Sequence, residues 1–208
     1  IAGTGRFVPP SVVTNFDLEK KMNTTDEWIR TRSGIERRHY AEAGVGTSDL
    51  ATEASRLAME AAQIEPSEID LVVAATLSPD HYFPGNGVQV QANLGLGYTG
   101  AIDIRNQCSG FIYGLSVADM YISAGSCRTV LLVAAKIQSS NLDYSDAGRD
   151  VAVLFGDGAG AMILQANDKE TGKGILSTHL FSDGRFVSQL WMEKPTPKDK
   201  PVFSQENL

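Results

Sequence analysis

One cysteine in this sequence stands where a reactive thiol could form. Cys108 follows a short segment in which Ile102 and Ile104 alternate with other residues, as in a β-strand. Beyond it, apolar residues recur at helical spacing, at Phe111, Leu115, Ala118 and Ile122. A strand is therefore predicted to run directly into a helix. The first N–H groups of a helix carry partial positive charge and favour the thiolate, which is the nucleophilic form of cysteine.

A second interpretation of Cys108 stays open, because free cysteines are among the most buried residues and most of them only pack. Cys127 provides an internal comparison. It follows the helix and leads into the apolar segment 129–135, without a strand-to-helix junction. We therefore interpret Cys127 as structural and keep Cys108 as the candidate nucleophile.

Four arginines follow or flank Trp28 in segment 23–39, although the chain as a whole is acidic. One interpretation is a solvated helical face. The other is a phosphate-binding patch, because guanidinium groups match phosphate oxygens and stack on flat rings such as that of Trp28. The residues alone do not decide between the two for Arg30, Arg32, Arg37 and Arg38.

Composition argues against several classes of function. The formal net charge of −7 is unfavourable for nucleic-acid binding, which needs a basic face. Two cysteines without a C-x-x-C pattern fit neither a disulfide framework nor a zinc site. No apolar run reaches membrane-spanning length and no signal peptide is visible. The sequence therefore predicts a cytoplasmic protein with reduced thiols, no membrane association and no metal site.

The elements that must position these residues alternate between strand and helix, which predicts an α/β fold with a largely parallel sheet. Predicted strands cover 1–8, 70–76, the segment before Cys108, and 129–136. Predicted helices cover 15–22, the Trp28 segment up to Gly34, 48–64, 86–94 and the segment after Cys108. The apolar runs 150–155 and 159–166, joined around Asp157-Gly158, predict a β-hairpin, and 174–183 predicts a further strand.

Taken together, the motifs resemble those of β-ketoacyl-acyl-carrier-protein synthase III, the thiolase-fold condensing enzyme that starts bacterial fatty-acid synthesis. No single motif is decisive, but their order and spacing over nearly the whole chain are highly specific. They are Gly3-Thr4-Gly5, Thr25-Asp26-Glu27-Trp28-Ile29, Thr31-Arg32-Ser33-Gly34-Ile35, Phe83-Pro84, Gln107-Cys108-Ser109-Gly110-Phe111, 115–119, 155–161, Ser177-Thr178-His179-Leu180 and Ser182-Asp183-Gly184.

The resemblance implies a thiolase-like fold of two similar halves, each with a mostly parallel five-stranded sheet and helices on both faces. Residues 1–166 would form the N-terminal half, and 174–208 would begin a C-terminal half whose repeat is incomplete. The opening without methionine and the polar close of the chain agree with the expectation that both ends are cut.

The resemblance also implies a site. Cys108 matches the nucleophile that takes an acyl group from an acyl-CoA. Trp28 and Arg149 match residues that enclose the adenine of coenzyme A, while Thr24 and Arg32 match contacts to the rest of that molecule. Among the arginines of segment 23–39, the resemblance assigns a binding role to Arg32 only.

Phe83 matches a residue that reaches across a dimer interface and closes the acyl pocket of the other subunit. The implied substrates are acyl-CoA and malonyl-acyl-carrier protein, handled by a homodimer without a resident cofactor. The segment around His81 is more elaborate than in the best-known members of the family, which leaves the size of the acyl primer open.

One departure from the family pattern concerns the second half-reaction, which in the family uses a histidine and an asparagine from His-Gln-Ala-type and Gly-Asn-type motifs. This sequence has neither motif, and His39, His81 and His179 each match non-catalytic positions. We therefore expect that the 208 residues alone cannot complete condensation and give no product from acyl-CoA and malonyl carrier protein.

Three alternatives remain. The chain could belong to a sister condensing enzyme of ketone, polyketide or quinolone synthesis, or it could be a non-catalytic thiolase-fold partner. A dinucleotide-binding dehydrogenase is the least favoured, because no G-x-G-x-x-G opens a helix after a strand. The glycines of 155–161 lack the Lys-Ser/Thr ending of a phosphate-binding loop.

Overall fold

The computed structural model describes residues 1–167 and 174–191. The chain divides into two compact units, Ile1–Leu176 and Ser177–Leu208. Strands of the first unit are β1 (Gly3–Phe7), β2 (Ser11–Thr14), β3 (Arg37–Tyr40), β4 (Leu71–Ala75), β5 (Gly100–Ile104), β6 (Thr129–Lys136) and β7 (Gly158–Gln165). Its α-helices are α1 (Asn15–Glu19), α2 (Asp26–Ser33), α3 (Thr47–Ala62), α4 (Asn86–Leu94), α5 (Gly110–Ser123) and α6 (Arg149–Ala152). In its described part, the second unit contains a 3₁₀ helix, Gly184–Gln189.

Five strands form the main sheet in the order β1-β7-β6-β4-β5, and β2 and β3 form a separate antiparallel pair. Strand β4 runs parallel to both β5 and β6, whereas β7 is antiparallel to its neighbours β6 and β1. Four strands of the sheet therefore point in one direction, in agreement with the predicted mostly parallel sheet. Their carboxyl ends meet at one edge, where α/β proteins usually place ligands.

Helices cover both faces of this sheet. On one face α3 and α4 pack over Val72 of β4 and Leu131 of β6. On the other face α5 packs over Val73 and Leu132, whose side chains point the opposite way because strand residues alternate. Strand β4 is buried along its whole length, as a continuous apolar run predicts for a strand covered on both sides.

The Gly3-Thr4-Gly5 motif has a packing role. A Cβ atom at Gly3 or Gly5 would collide with the backbone carbonyl oxygens of Ala58 and Ala54, respectively, in α3. These glycines therefore let α3 lie directly against β1. The close approach explains why small residues are needed at the start of the sheet.

The predicted hairpin of 150–155 with 159–166 is wrong. Residues Arg149–Ala152 form the short helix α6, and β7 pairs instead with β6 and β1. Ala152 and Val153 are buried in a separate apolar cluster with Leu18 and Ile29. A short apolar run can form either a strand or a buried helical turn. Here the residues form a helical turn that packs against Leu18 and Ile29.

The strand predicted over 174–183 is also wrong, since none of these residues forms a strand in the described structure. A strand needs a neighbour to satisfy its backbone groups, and an apolar sequence alone does not supply one. Of the predicted second half, 174–208, the segment 192–208 lies outside the described residues. Within the described ranges, no helix is long and apolar enough to cross a membrane.

Candidate active site

Cys108 lies at the carboxyl edge of the sheet, at the predicted junction between a strand and a helix. It is the middle residue of a single 3₁₀ turn, Gln107–Ser109, which joins the end of β5 to the first residue of α5. Its side chain is exposed and is not part of a disulfide. The thiol is therefore accessible from solvent. This argues against the interpretation of Cys108 as an inert packing residue.

Close packing fixes the start of α5 against the sheet. A Cβ at Gly114 would lie 2.6 Å from the Leu132 Cδ1 atom, so glycine lets this helix lie close to β6 without moving the leucine side chain. Gln107, just before the cysteine, has a φ of 48°, in the left-handed region that non-glycine residues rarely occupy. Strained backbone of this kind concentrates at functional sites.

Cys127 has a different environment. It is half-buried and packs against the apolar cluster beneath α5. Burial raises the pKa of the Cys127 thiol, and the nearby Asp70 carboxylate raises it further. Both effects favour the uncharged thiol, in agreement with a structural role.

A second group of residues surrounds Trp28. Helix α2 begins after Thr25, whose hydroxyl accepts a hydrogen bond of 3.0 Å from the Trp28 N–H. The Cζ atom of Arg32, one helical turn later, lies 4.3 Å from the centroid of the Trp28 ring. The Arg149 Cζ atom lies 4.4 Å from the same ring. Two residues 117 positions apart are thus brought to one aromatic surface, which is an arrangement that suits flat rings and phosphates.

One backbone carbonyl and one neighbouring carboxylate hold Arg149 in place. Its guanidinium donates a hydrogen bond of 3.0 Å to the carbonyl of Asn23 and one of 3.3 Å to the Asp150 carboxylate. Thr24, the residue after Asn23, has a buried hydroxyl oxygen without a hydrogen-bond partner in the described structure. Of the predicted coenzyme A residues, Trp28, Arg32 and Arg149 are therefore in contact, and Thr24 is adjacent in sequence to Arg149's backbone partner.

The other arginines of segment 23–39 have different surroundings. Arg30 forms ion pairs with Asp26, at 3.5 Å, and Glu36, at 3.1 Å. Arg38 is buried and donates to the Asn15 side chain at 2.8 Å and to a backbone carbonyl at 3.0 Å. Of the four arginines, Arg32 is the one whose guanidinium contacts the Trp28 ring in the described structure.

Phe83 is not part of either group. Its side chain is 82% exposed and lies in the loop between β4 and α4, beside the equally exposed Tyr82.

Two residues at the carboxyl edge were missed by sequence reasoning. One is Asp157, which is 5% exposed and accepts hydrogen bonds from the Gln138 N–H at 2.7 Å and the Ser139 N–H at 2.9 Å. It also accepts from the Ser139 hydroxyl at 2.6 Å and from the Ala41 N–H at 2.7 Å. Asp157 thus anchors the loop after β6 to the end of β3. The Asp-Gly dipeptide was interpreted as a turn, which hid this role.

The other missed residue is Lys136, the last residue of β6. The sequence signal that could have identified Lys136 was a charged residue at the end of an otherwise apolar strand.

In the part of the chain that the structure describes, no three His, Cys, Asp or Glu side chains are grouped so that they could hold a metal ion.

Several known proteins similar to this chain are described as β-ketoacyl- or 3-oxoacyl-(acyl-carrier-protein) synthase III. A family model for 3-oxoacyl-(acyl-carrier-protein) synthase III matches residues 102–184. A β-ketoacyl-(acyl-carrier-protein) synthase III from Methylococcus capsulatus is 47% identical over 195 residues, which are 94% of this chain and 59% of that protein. The crystal structure of 3-oxoacyl-(acyl carrier protein) synthase III from Pseudomonas aeruginosa PAO1 is 36% identical, with a TM-score of 0.85 over 99% of this chain and 61% of that one.

The priming β-ketosynthase from the R1128 polyketide biosynthetic pathway is also similar, at 36% identity, with a TM-score of 0.77 over 81% of this chain and 50% of that one. These structures confirm the predicted thiolase-like α/β fold. The chain spans less than two thirds of the length of these relatives.

Proposed function

Because the chain belongs to the β-ketoacyl-acyl-carrier-protein synthase III family, we propose that it carries the acyl-loading site of a condensing enzyme. In this proposal, Cys108 takes an acyl group from an acyl-CoA. The acyl group is then joined to malonyl-acyl-carrier protein with loss of carbon dioxide, the step that initiates fatty-acid synthesis and that the 208 residues alone are not expected to complete. The observation that carries the proposal is the exposed thiol between β5 and α5. The test is whether acyl-CoA leaves an acyl group on Cys108, as measured by the mass of the intact protein and of its peptides.

Chemistry at the thiol follows from its position. The Cys108 thiolate attacks the thioester carbonyl, and the carbonyl oxygen becomes an oxyanion in the tetrahedral intermediate. Backbone N–H groups, that of Cys108 among them, would stabilise this charge. The intermediate then collapses, the coenzyme A thiolate leaves and takes a proton from solvent, and the acyl group stays on sulfur. A covalent intermediate divides one difficult carbon–carbon bond formation into two easier steps.

We propose that coenzyme A is bound as substrate through the surface around Trp28. An adenine ring would replace one of the two guanidinium groups on the indole, and the displaced arginine would cover the other side of the base. The remaining arginine would meet the phosphates. Thr24 is assigned to the same surface because it follows Asn23, whose carbonyl accepts a hydrogen bond from Arg149, and its own buried hydroxyl oxygen has no hydrogen-bond partner in the described structure. No resident cofactor enters the proposed reaction.

Replacing Trp28 with alanine is expected to weaken coenzyme A binding, because the flat surface that both arginines contact is lost. Loss of one stacked ring with its cation–π contacts corresponds to a Kd about 10 to 100 times higher. Isothermal titration calorimetry would measure this. The matched control is Trp191→Ala, at a 61% exposed position, which should stay within about twofold of wild type. Unchanged binding in Trp28→Ala would contradict the assigned surface.

A homodimer is also part of the proposal. Strand β5 is an edge of the sheet and presents unpaired backbone groups to which a second copy could add its own β5. The exposed Phe83 would then reach the acyl pocket of the other subunit.

Sedimentation equilibrium tests this arrangement. We expect a dimer for the wild type, and for Phe83→Glu a dissociation constant at least about ten times higher, because a charge would enter an apolar contact. Phe16→Glu is the matched control, since Phe16 is 61% exposed and lies on α1. Equal dimerisation of Phe83→Glu and wild type would remove Phe83 from the interface.

A sister condensing enzyme is the second candidate, favoured by the similarity to the polyketide-priming ketosynthase. The two candidates differ in the acyl group that is loaded. Exposing the protein to a panel of acyl-CoAs and measuring the mass of the Cys108 adduct distinguishes the two candidates.

The two free thiols suit a reducing compartment, and we propose a cytoplasmic location.

A non-catalytic scaffold would use neither thiol, so alkylation separates it from an enzyme. Iodoacetamide at neutral pH is expected to modify Cys108 at least about ten times faster than Cys127, whose pKa is raised by burial and Asp70. Peptide mass spectrometry over a time course gives both rates in the same sample. Equally slow labelling of the two thiols would favour the scaffold.

A further inference from the structure

Arg38 is a buried arginine whose guanidinium contacts the end of the helix that carries Arg149. It lies in β3 and is 6% exposed. Its Nη2 atom donates a hydrogen bond of 3.0 Å to the carbonyl of Val153, the residue that follows α6. The Val153 N–H in turn donates to the carbonyl of Arg149, at 3.3 Å. Because a buried charge is costly unless its hydrogen bonds are made, the guanidinium restricts where the carboxyl end of α6 can lie.

Asn15, the first residue of α1, connects the same guanidinium to helix α2. It is fully buried, and its side-chain oxygen accepts a hydrogen bond of 2.8 Å from the Arg38 Nη1 atom. Its amide nitrogen donates to the Asp26 carboxylate at 2.8 Å and to the Ile35 carbonyl at 2.7 Å. Asp26 begins α2, and Ile35 follows the residue that caps the other end of this helix. A single carboxamide therefore holds both ends of the helix that carries Trp28.

The chemistry of the partners fixes the direction of these bonds. An arginine side chain can only donate, whereas a carboxylate and a backbone carbonyl can only accept. The Asn15 oxygen must therefore face Arg38, and its nitrogen must face α2. Aspartate has the same shape as asparagine but lacks the N–H donors, so at this position it would keep the contact with Arg38 and lose both contacts with α2.

These hydrogen bonds supply an orientation that apolar packing alone does not. Val153 and Ile29 belong to one apolar cluster, but hydrophobic contact is non-directional. Helix α6 has only four residues, and so short a helix depends on its surroundings for its position. The Arg149 Cζ atom lies 4.4 Å from the centroid of the Trp28 ring. The orientation of α6 relative to α2 therefore decides whether this guanidinium reaches the ring.

We propose that Asn15 and Arg38 are positioning residues for coenzyme A binding, which hold α2 and α6 so that Arg149 meets the Trp28 ring. This inference rests on the coenzyme A surface proposed above. The buried path runs from Asp26 through Asn15 and Arg38 to the carboxyl end of α6. Both residues act through the ring and the guanidinium on it, and neither is assigned a contact with the substrate.

The test makes two measurements on the same proteins, all of which carry Trp191→Phe. Trp28 is then the sole tryptophan, so quenching of its fluorescence by acrylamide reports how well the ring is covered, with or without ligand. Isothermal titration calorimetry gives the Kd for coenzyme A. Arg149→Ala sets the quenching constant of a ring that has lost its second guanidinium.

Asn15→Asp is expected to raise the Kd for coenzyme A about tenfold, the equivalent of one lost cation–π contact. Its quenching constant should rise toward that of Arg149→Ala, because the carboxylate at position 15 repels the Asp26 carboxylate and the Ile35 carbonyl. The same carboxylate can pair with Arg38, so the variant is expected to fold.

The matched control is Asp26→Asn, whose carboxamide oxygen still accepts from Asn15 and whose Kd should stay within about twofold of wild type. Combining the two substitutions should bring the Kd to within about threefold of wild type, because the amide at position 26 can then donate to the carboxylate at position 15. The quenching constant should move back in the same variant. A role in stability alone would lower the free energy of unfolding and leave both measurements on the folded protein unchanged.

A folded Asn15→Asp variant in which either measurement keeps its wild-type value overturns the proposal, and so does a double variant that is no better than Asn15→Asp. If Asn15→Asp does not fold, Asp26→Ala is compared with Glu27→Ala, which removes a carboxylate from the same helical turn. Greater quenching in Asp26→Ala alone supports the proposal, and equal quenching overturns it. Quenching that changes as expected in a protein whose wild type binds no coenzyme A would refute the proposed coenzyme A surface and leave the positioning of the ring intact.

Discussion

Replacing Cys108 with serine is expected to abolish acyl transfer. A serine hydroxyl at this position has nearly the same shape but is far less acidic, so the attacking anion is lost. Removal of a catalytic nucleophile typically costs several powers of ten, and we expect at least a loss of about a thousandfold in the rate of acyl-enzyme formation. Quenched-flow mixing with a radiolabelled acyl-CoA, followed by intact-mass detection, measures this rate directly.

The matched control is Cys127→Ser, which should retain the wild-type acylation rate, because this thiol is half-buried and its uncharged form is favoured. If acylation persisted in Cys108→Ser but disappeared in Cys127→Ser, the nucleophile would be Cys127 and the assignment of Cys108 would be wrong. The pair therefore tests both the proposed reaction and the choice between the two cysteines.

Replacing Asp157 with alanine is expected to destabilise the fold by about 3–5 kcal/mol. Four donors from the loop after β6 and the end of β3 would lose a charged acceptor in a site that is 5% exposed. Each hydrogen bond to a charged group contributes about 1.5–3 kcal/mol, and water entering the new space would replace part of that. Urea unfolding followed by circular dichroism measures the free energy of unfolding.

Asp150→Ala provides the comparison, since the Asp150 side chain is 77% exposed and pairs with Arg149 at the surface. Its free energy of unfolding should change by less than about 0.5 kcal/mol. If Asp157→Ala were as stable as Asp150→Ala, the loop after β6 would have to be held by other contacts. Asp157→Asn should also destabilise, because the amide nitrogen would face an N–H donor.

The sequence sufficed for elements with long, unambiguous patterns. The buried strands β4 and β6, the helix after Cys108 and the capped helix that carries Trp28 were predicted from apolar periodicity and from residues that begin or end a helix. The position of the thiol at a strand-to-helix junction was among these. Local patterns were enough because each of these features is decided within about twenty residues.

Features that depend on distant partners could not be predicted in this way. The apolar residues of 150–153 form a helical turn because they pack on α1 and α2, which precede them by more than a hundred residues. The contact between Arg149 and Trp28 has the same origin, and only the family resemblance suggested it. Lys136 was overlooked because its partial burial is not visible in the order of residues.

Gly114 has a consequence that reaches beyond its own contact. A methyl group of Leu132 occupies the space that a side chain at Gly114 would fill, so α5 packs closely on β6 about two helical turns after Cys108. A larger residue there would require the Leu132 side chain or α5 itself to move, because a Cβ would lie 2.6 Å from the Leu132 Cδ1 atom. The packing between α5 and β6 therefore bears on where the segment that carries Cys108 leaves the sheet, although Gly114 itself has no reactive group.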